Sequence, residues 1–172
     1  KNLLLGADAM AQSRLHPLQS NSQFWHRLNT EPLPFRSPHY RHHADLAYSQ
    51  LLALHQYIPE CQEIIFALPA TYTREQMAQL PDKAVALLDG SVAAAARYIH
   101  QPRAIHLDLQ LHQCVLTELD LNDNYVSGQR VEVLPGLGLL GFFDRWAKTI
   151  ADGFIAQCRF DPLHSASSAP SL

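Results

Sequence analysis

The chain has 172 residues, 47% apolar and 17% charged, with a formal net charge of -3 when histidine is neutral. That is enough length and apolar content for one good core or two small lobes, and it excludes an intrinsically disordered chain. No run of Lys or Arg is present, so neither a nucleic-acid groove nor an anionic membrane surface is expected as a partner.

Residues 6–15, with Ala7, Ala9, Met10, Ala11 and Leu15, predict a short helix stopped by Pro17. A brief aromatic segment from Gln23 to Leu28 follows. Pro32, Pro34 and Pro38 then mark an extended connector without regular structure. Ala44, Ala47, Tyr48, Leu51, His55 and Ile58 recur at helical spacing, predicting an amphipathic helix over about 43–58 that Pro59 ends. Gln62 to Leu68 reads as a buried strand. Thr73 and Gln76 have the spacing of a reciprocal helix cap, and Pro81-Asp82 breaks the helix they open. Val85 to Leu88 is a second buried strand. Ser91 is placed to cap an Ala-rich helix running to about His100, whose small residues allow close packing on a sheet.

The pattern changes after Pro102. Ile105, Leu107, Leu109 and Leu111 alternate with His106, Asp108, Gln110 and His112, the period-two signature of a strand. Cys114 to Leu121 and Tyr125 to Leu134 continue as strands around a turn at residues 120–124. Gly136, Gly138 and Gly141 predict a loop. A last helix over about 142–160 carries Phe143, Trp146, Ile150, Phe154 and Cys158 on one stripe, expected as core or interface, and residues 165–172 read as a polar tail. The order predicts an α/β chain with mixed sheets flanked by helices, in two partial lobes: residues 1–101 and residues 102–172.

Three cysteines (Cys61, Cys114 and Cys158) without CxxC spacing suggest reduced thiols in a cytoplasm. No apolar run approaches a membrane span. Glycine is scarce, 7 of 172 residues or about 4% against ~7% on average, which disfavours a loop wrapped around phosphate. His106, Asp108 and His112 share one strand face, but 106 to 112 spans ~20 Å if extended, too far for one metal without a turn. His39, His42 and His43 form a second histidine-rich spot, most simply a solvated loop. Cys114 has no base placed to activate it.

Several segments together resemble the ATPase domain of the seventy-kilodalton heat-shock chaperones, of the actin-like superfamily. Gly6-Ala7-Asp8-Ala9-Met10-Ala11-Gln12 with His16-Pro17 and Asn21-Ser22 is similar to G-x-x-A-x-x-Q…N-P-x-N-T. Leu68-Pro69-Ala70-Thr71-Tyr72 with Glu75-Gln76 is similar to V-P-A-Y-F-x-x-x-Q. The stretch from Leu88 through Asp89-Gly90-Ser91 to Tyr98 is similar to N-E-P-T-A-A-A-L-A-Y. Leu107-Asp108-Leu109 begins like D-L-G-G-G-T, and Leu139 to Asp144 like L-G-G-x-D-F-D. The five come in the family's order and cover nearly the whole chain.

The resemblance implies an actin-like, ribonuclease-H-like ATPase fold, here only part of one. It implies catalytic roles for Asp108, Asp89 and His26, the last at the family's lysine position. It places Gln110, His112, Gly138 and Gly141 against bound nucleotide. The chemistry departs where the family keeps its phosphate glycines, because Gln110, Leu111 and His112 stand there instead. The family's first phosphate hairpin and its adenosine-binding half fall outside these residues. Three functions follow: a bacterial-type, chaperone-like binding or regulatory module with a degenerate site and no cofactor of its own; an ATP- and Mg²⁺-dependent ATPase in a longer protein; or a self-associating scaffold. The partners are then another protein or a second copy.

Overall fold

The computed structural model describes residues 3–58, 63–80 and 84–164, with only the backbone course at 84 and 85. The expected helix stop at Pro59, the strand start at Gln62, Cys61, the Pro81-Asp82 break and the 165–172 tail lie outside the described residues. The elements in order are α1 (Gly6–Ser13), a 3-10 turn (Pro17–Gln19), α2 (His43–His55), β1 (Ile64–Leu68), α3 (Arg74–Met77), β2 (Ala84–Asp89), α4 (Gly90–Ala95), β3 (Arg103–Leu109), β4 (Gln113–Asn122), β5 (Tyr125–Pro135) and α5 (Leu139–Cys158). This is a mixed α/β chain with one parallel and one antiparallel sheet and flanking helices. It divides into two compact units, residues 1–50 with 140–172, and residues 51–139; Pro102 falls within the second.

The Pro-rich connector of the first unit is ordered rather than merely extended. Pro32 and His42 form an antiparallel bridge, and Leu33 N–H donates to Arg41 O at 2.8 Å. Leu28 and Leu33 are thereby buried, as are Leu46 and Ala47 of α2. Asp45 folds back to the start of α2, its Oδ2 accepting from Arg41 N–H at 2.7 Å and His42 N–H at 3.3 Å. Burial opposes ionisation of Asp45, but these backbone bonds and the neighbouring His42 and Arg41 leave its carboxyl below the ordinary value.

In the second unit β1 and β2 pair in parallel, Leu68 opposite Asp89, with α3 in the crossover. Thr73 Oγ1 accepts from Gln76 N–H and Gln76 Oε1 accepts from Thr73 N–H at 3.0 Å, the reciprocal cap read from the sequence. Both strands were expected to be buried, yet Ile65, Leu87 and Leu88 are exposed: successive residues Leu87 and Leu88 point to opposite faces, so this two-stranded sheet is incompletely covered on both. Gly90 must lack a side chain, because a Cβ there would sit 2.9 Å from the Leu68 carbonyl oxygen.

β3, β4 and β5 form an antiparallel meander with β4 central. Gln113, Val115, Thr117 and Leu119 of β4 are buried and make its core face. Asp123 and Asn124, both at positive φ (47° and 69°), link Asn122 to its partner Tyr125, which is the two-residue turn that the twist of a hairpin favours. An extra residue between Gly128 and Val131 makes a bulge in β5 opposite Glu118.

The aromatic stripe of α5 is not core. Ala151 is its one buried residue among those described, while Trp146, Ile150 and Phe154 are each about half exposed (57%, 58% and 48%). The small side chain permits a close approach at Ala151 that the large ones on the neighbouring faces do not. Gly141 belongs to the first turn of this helix rather than to the preceding loop.

His43, 7% exposed, lies at the start of α2 with Nδ1 3.1 Å from Asn29 Oδ1. Burial lowers its basicity below the ordinary 6.5, Arg27 adds to the effect and Glu31 opposes it. The unfolded chain therefore takes up this proton more readily than the folded one, so His43's contribution to stability is whole above pH ~6.5 and declines below it. The thermal midpoint is expected to fall between about pH 7.5 and about pH 5.5, and His43→Gln, which keeps a donor toward Asn29, should flatten that slope. Equal slopes in melts of the two proteins would contradict the assignment.

Candidate functional site

Asp89 ends β2 and its side chain turns back on the helix that follows. Oδ1 accepts from Ser91 N–H at 2.8 Å, from Ser91 Oγ–H at 2.5 Å and from Val92 N–H at 3.3 Å. Asp89, rather than Ser91, is thus the N-cap of α4. Ser91, 5% exposed, donates its hydroxyl to the same oxygen. Gly128 of β5 comes against the other oxygen: a Cβ built at Gly128 would lie 3.3 Å from Asp89 Oδ2 and 3.6 Å from Thr117 Cγ2. One carboxylate oxygen is thus occupied by the start of α4, while Asp89 as a residue stays exposed.

Asp108 stands on β3 opposite Val115 and shares its face with Ala104 and His106. Its Oδ2 accepts from Gln110 Nε2 at 2.7 Å, and Gln110 Oε1 accepts from the buried Gln113 Nε2 at 2.9 Å. Gln110 N–H also donates to Gln113 O at 3.0 Å, closing the β3–β4 hairpin over Leu111 and His112. Two amides and one carboxylate oxygen here bond in series at a half-buried hairpin end.

The β5–α5 connection folds onto the same hairpin. Gly136, at φ 76°, donates N–H to His112 O at 3.2 Å, and Leu139 N–H donates to Gln110 O at 2.9 Å. Between them Gly138 is buried so closely that a Cβ would lie 2.4 Å from Leu111 O and His112 C and 2.5 Å from Gln113 N. The space a glycine opens at Gly138 is filled by the chain's own backbone.

The residues singled out from sequence are divided between the two units, and those of the second fall into two places. Asp108, Gln110, His112 and Gly138 come together around the β3–β4 hairpin. Asp89 lies at the head of α4, Gly141 in α5, and His26 on an exposed turn of the first unit. His39 stacks edge-on against Tyr40, His42 Nδ1 is 3.2 Å from Asp45 Oδ1 without a hydrogen-bonding angle, and buried His43 meets Asn29. Three imidazoles thus have three different neighbours. Among the described residues no three His, Cys, Asp or Glu side chains converge as a metal ion requires. Cys114 is buried, and Cys158 is exposed with Sγ 3.1 Å from Phe154 O.

Sequence reasoning missed the apolar side chains that the second unit leaves in solvent. Ile105, Leu107 and Leu109 of β3 are 74%, 61% and 43% exposed, one row on the face opposite Asp108. Their period-two pattern was visible. What hid their exposure is that β3 lies at an edge, which is a property of strand order.

The fold and these contacts define a mixed α/β chain whose meander presents an apolar row. No protein-family model and no curated protein matches the chain. No described helix is long and apolar enough to cross a membrane.

If Asp89 is a cap, Asp89→Ala should destabilise the chain by about 1 kcal/mol, while Asp89→Asn, which keeps the acceptor, should lose much less. Gly138→Ala is expected to cost at least about 2 kcal/mol through backbone collision. Urea unfolding checks both, and an unchanged midpoint for Gly138→Ala would contradict the packing.

Proposed function

We propose that this chain is a chaperone-like binding module in which the positions that resemble a nucleotide site serve structure, and whose function is to hold another protein chain. The observation that carries the reading is the occupancy of Asp89, Asp108 and Gly138. One carboxylate caps α4, the other is tied to Gln110, and the glycine accommodates the β3–β4 turn. Gln110 and His112 put side chains where phosphate would need backbone N–H groups. Meanwhile β3, with its apolar row, offers both hydrophobic area and a strand edge, the means by which extended segments are recognised.

Calorimetric titration of this chain with ATP and Mg²⁺ tests the reading. No saturable heat is expected up to about 1 mM nucleotide. Binding with a Kd near ~1 μM, abolished by Asp108→Ala in a folded protein, would instead support the ATPase reading.

A further inference from the structure

The backbone register of β3 fixes which of its groups are free. Gln110 N–H donates to Gln113 O and Leu121 N–H donates to Pro102 O, so the even-numbered residues of β3 turn their N–H and C=O toward β4. The odd-numbered ones, Arg103, Ile105, Leu107 and Leu109, turn theirs the other way. Among the described residues no other strand pairs with that side. A row of unpaired donors and acceptors flanked by exposed apolar side chains is a template for one more strand.

The side chains select what that strand is. An antiparallel copy of β3 can meet it with bonded odd pairs in registers centred on Ile105, His106, Leu107 or Asp108. Centring on His106 sets imidazole against imidazole, and centring on Asp108 sets carboxylate against carboxylate. Centring on Ile105 sets His106 against Ala104. Only the register centred on Leu107 places His106 of each copy opposite Asp108 of the other, twice by symmetry. It also sets Ile105 against Leu109 and Leu107 against Leu107. Directly opposite residues of this kind lie ~4.5–5.5 Å apart at Cβ, within reach of an imidazole–carboxylate bond.

The single chain leaves this pair half-made. His106 Nδ1 is buried and has no hydrogen-bond partner. Asp108 uses Oδ2 for Gln110, and its Oδ1 takes no hydrogen bond among the described residues. Room exists on that face: a cavity of about 390 Å³ lies between the end of α4 and β3, with Tyr98, His100, Ala104 and His106 among its lining.

We infer that β3 is the site of two-fold self-association, a second copy of this chain adding its own β3 antiparallel across the free edge with Leu107 on the axis. The interface is isologous and closes at two copies. The inference rests on the binding-module reading and names its partner.

Sedimentation velocity of the chain over ~10 to ~200 μM tests it. A monomer–dimer equilibrium is expected. Leu107→Pro removes an N–H that faces the free edge and leaves the β4 ladder intact, so it should raise the dissociation constant at least about tenfold with an unchanged circular dichroism spectrum. Should that variant unfold, Leu107→Lys serves the same purpose through charge at the edge. H106D should also weaken the dimer by opposing two carboxylates, and the exchanged pair H106D/D108H should recover it. A chain that stays monomeric, or a dimer that the Leu107 variants and the exchange leave untouched, overturns the inference. Nucleotide binding in the calorimeter bears on the module reading alone, so the two failures are distinguishable.

Discussion

The second unit depends on the junction of Asp89 and Gly90. Parallel pairing brings Leu68 opposite Asp89, and the chain must then turn directly into α4. Only a residue without Cβ can pass the Leu68 carbonyl there, and only a short side chain with an acceptor at its tip can reach the orphan N–H groups of Ser91 and Val92. The same carboxylate comes against Gly128, so one residue links the end of the parallel pair to the bulged strand of the meander.

A second constraint has the same character. The β3–β4 hairpin and the approach to α5 meet at Gly138 with no space for a methyl group. Gln110 serves this junction three ways: its backbone N–H closes the turn, its carbonyl receives Leu139 N–H, and its side chain bridges Gln113 and Asp108. Gln110, Leu111 and His112 are thus coherent with the surrounding packing, which closes the backbone at this hairpin.

Much of the element order was legible. The period-two run from Ile105 to Leu111 marked β3, the Thr73–Gln76 spacing marked a real cap, and Asp123-Asn124 lay inside the turn read from residues 120–124. These signals are local, written within four to eight residues. The cap of α4 was placed two residues late, at Ser91, because either side chain can accept from a backbone N–H and only the path of the chain past Leu68 decides. Gly141 looks like loop in the sequence because a glycine at a helix start resembles one outside it. The aromatic stripe of α5 shows the limit of periodicity: it identifies one face of a helix, and burial of that face depends on what meets it. The free edge of β3 was likewise invisible, since alternation describes a strand's faces and says nothing of its sides.

The central claim is that the nucleotide-like positions hold structure. Its most direct measurement is urea unfolding of the unaltered chain, Asp89→Ala and Gly138→Ala, each with and without ATP and Mg²⁺. Both variants should lose stability, and all three midpoints should ignore the nucleotide. A nucleotide-dependent gain in the unaltered chain, absent from variants that are otherwise as stable, would contradict it.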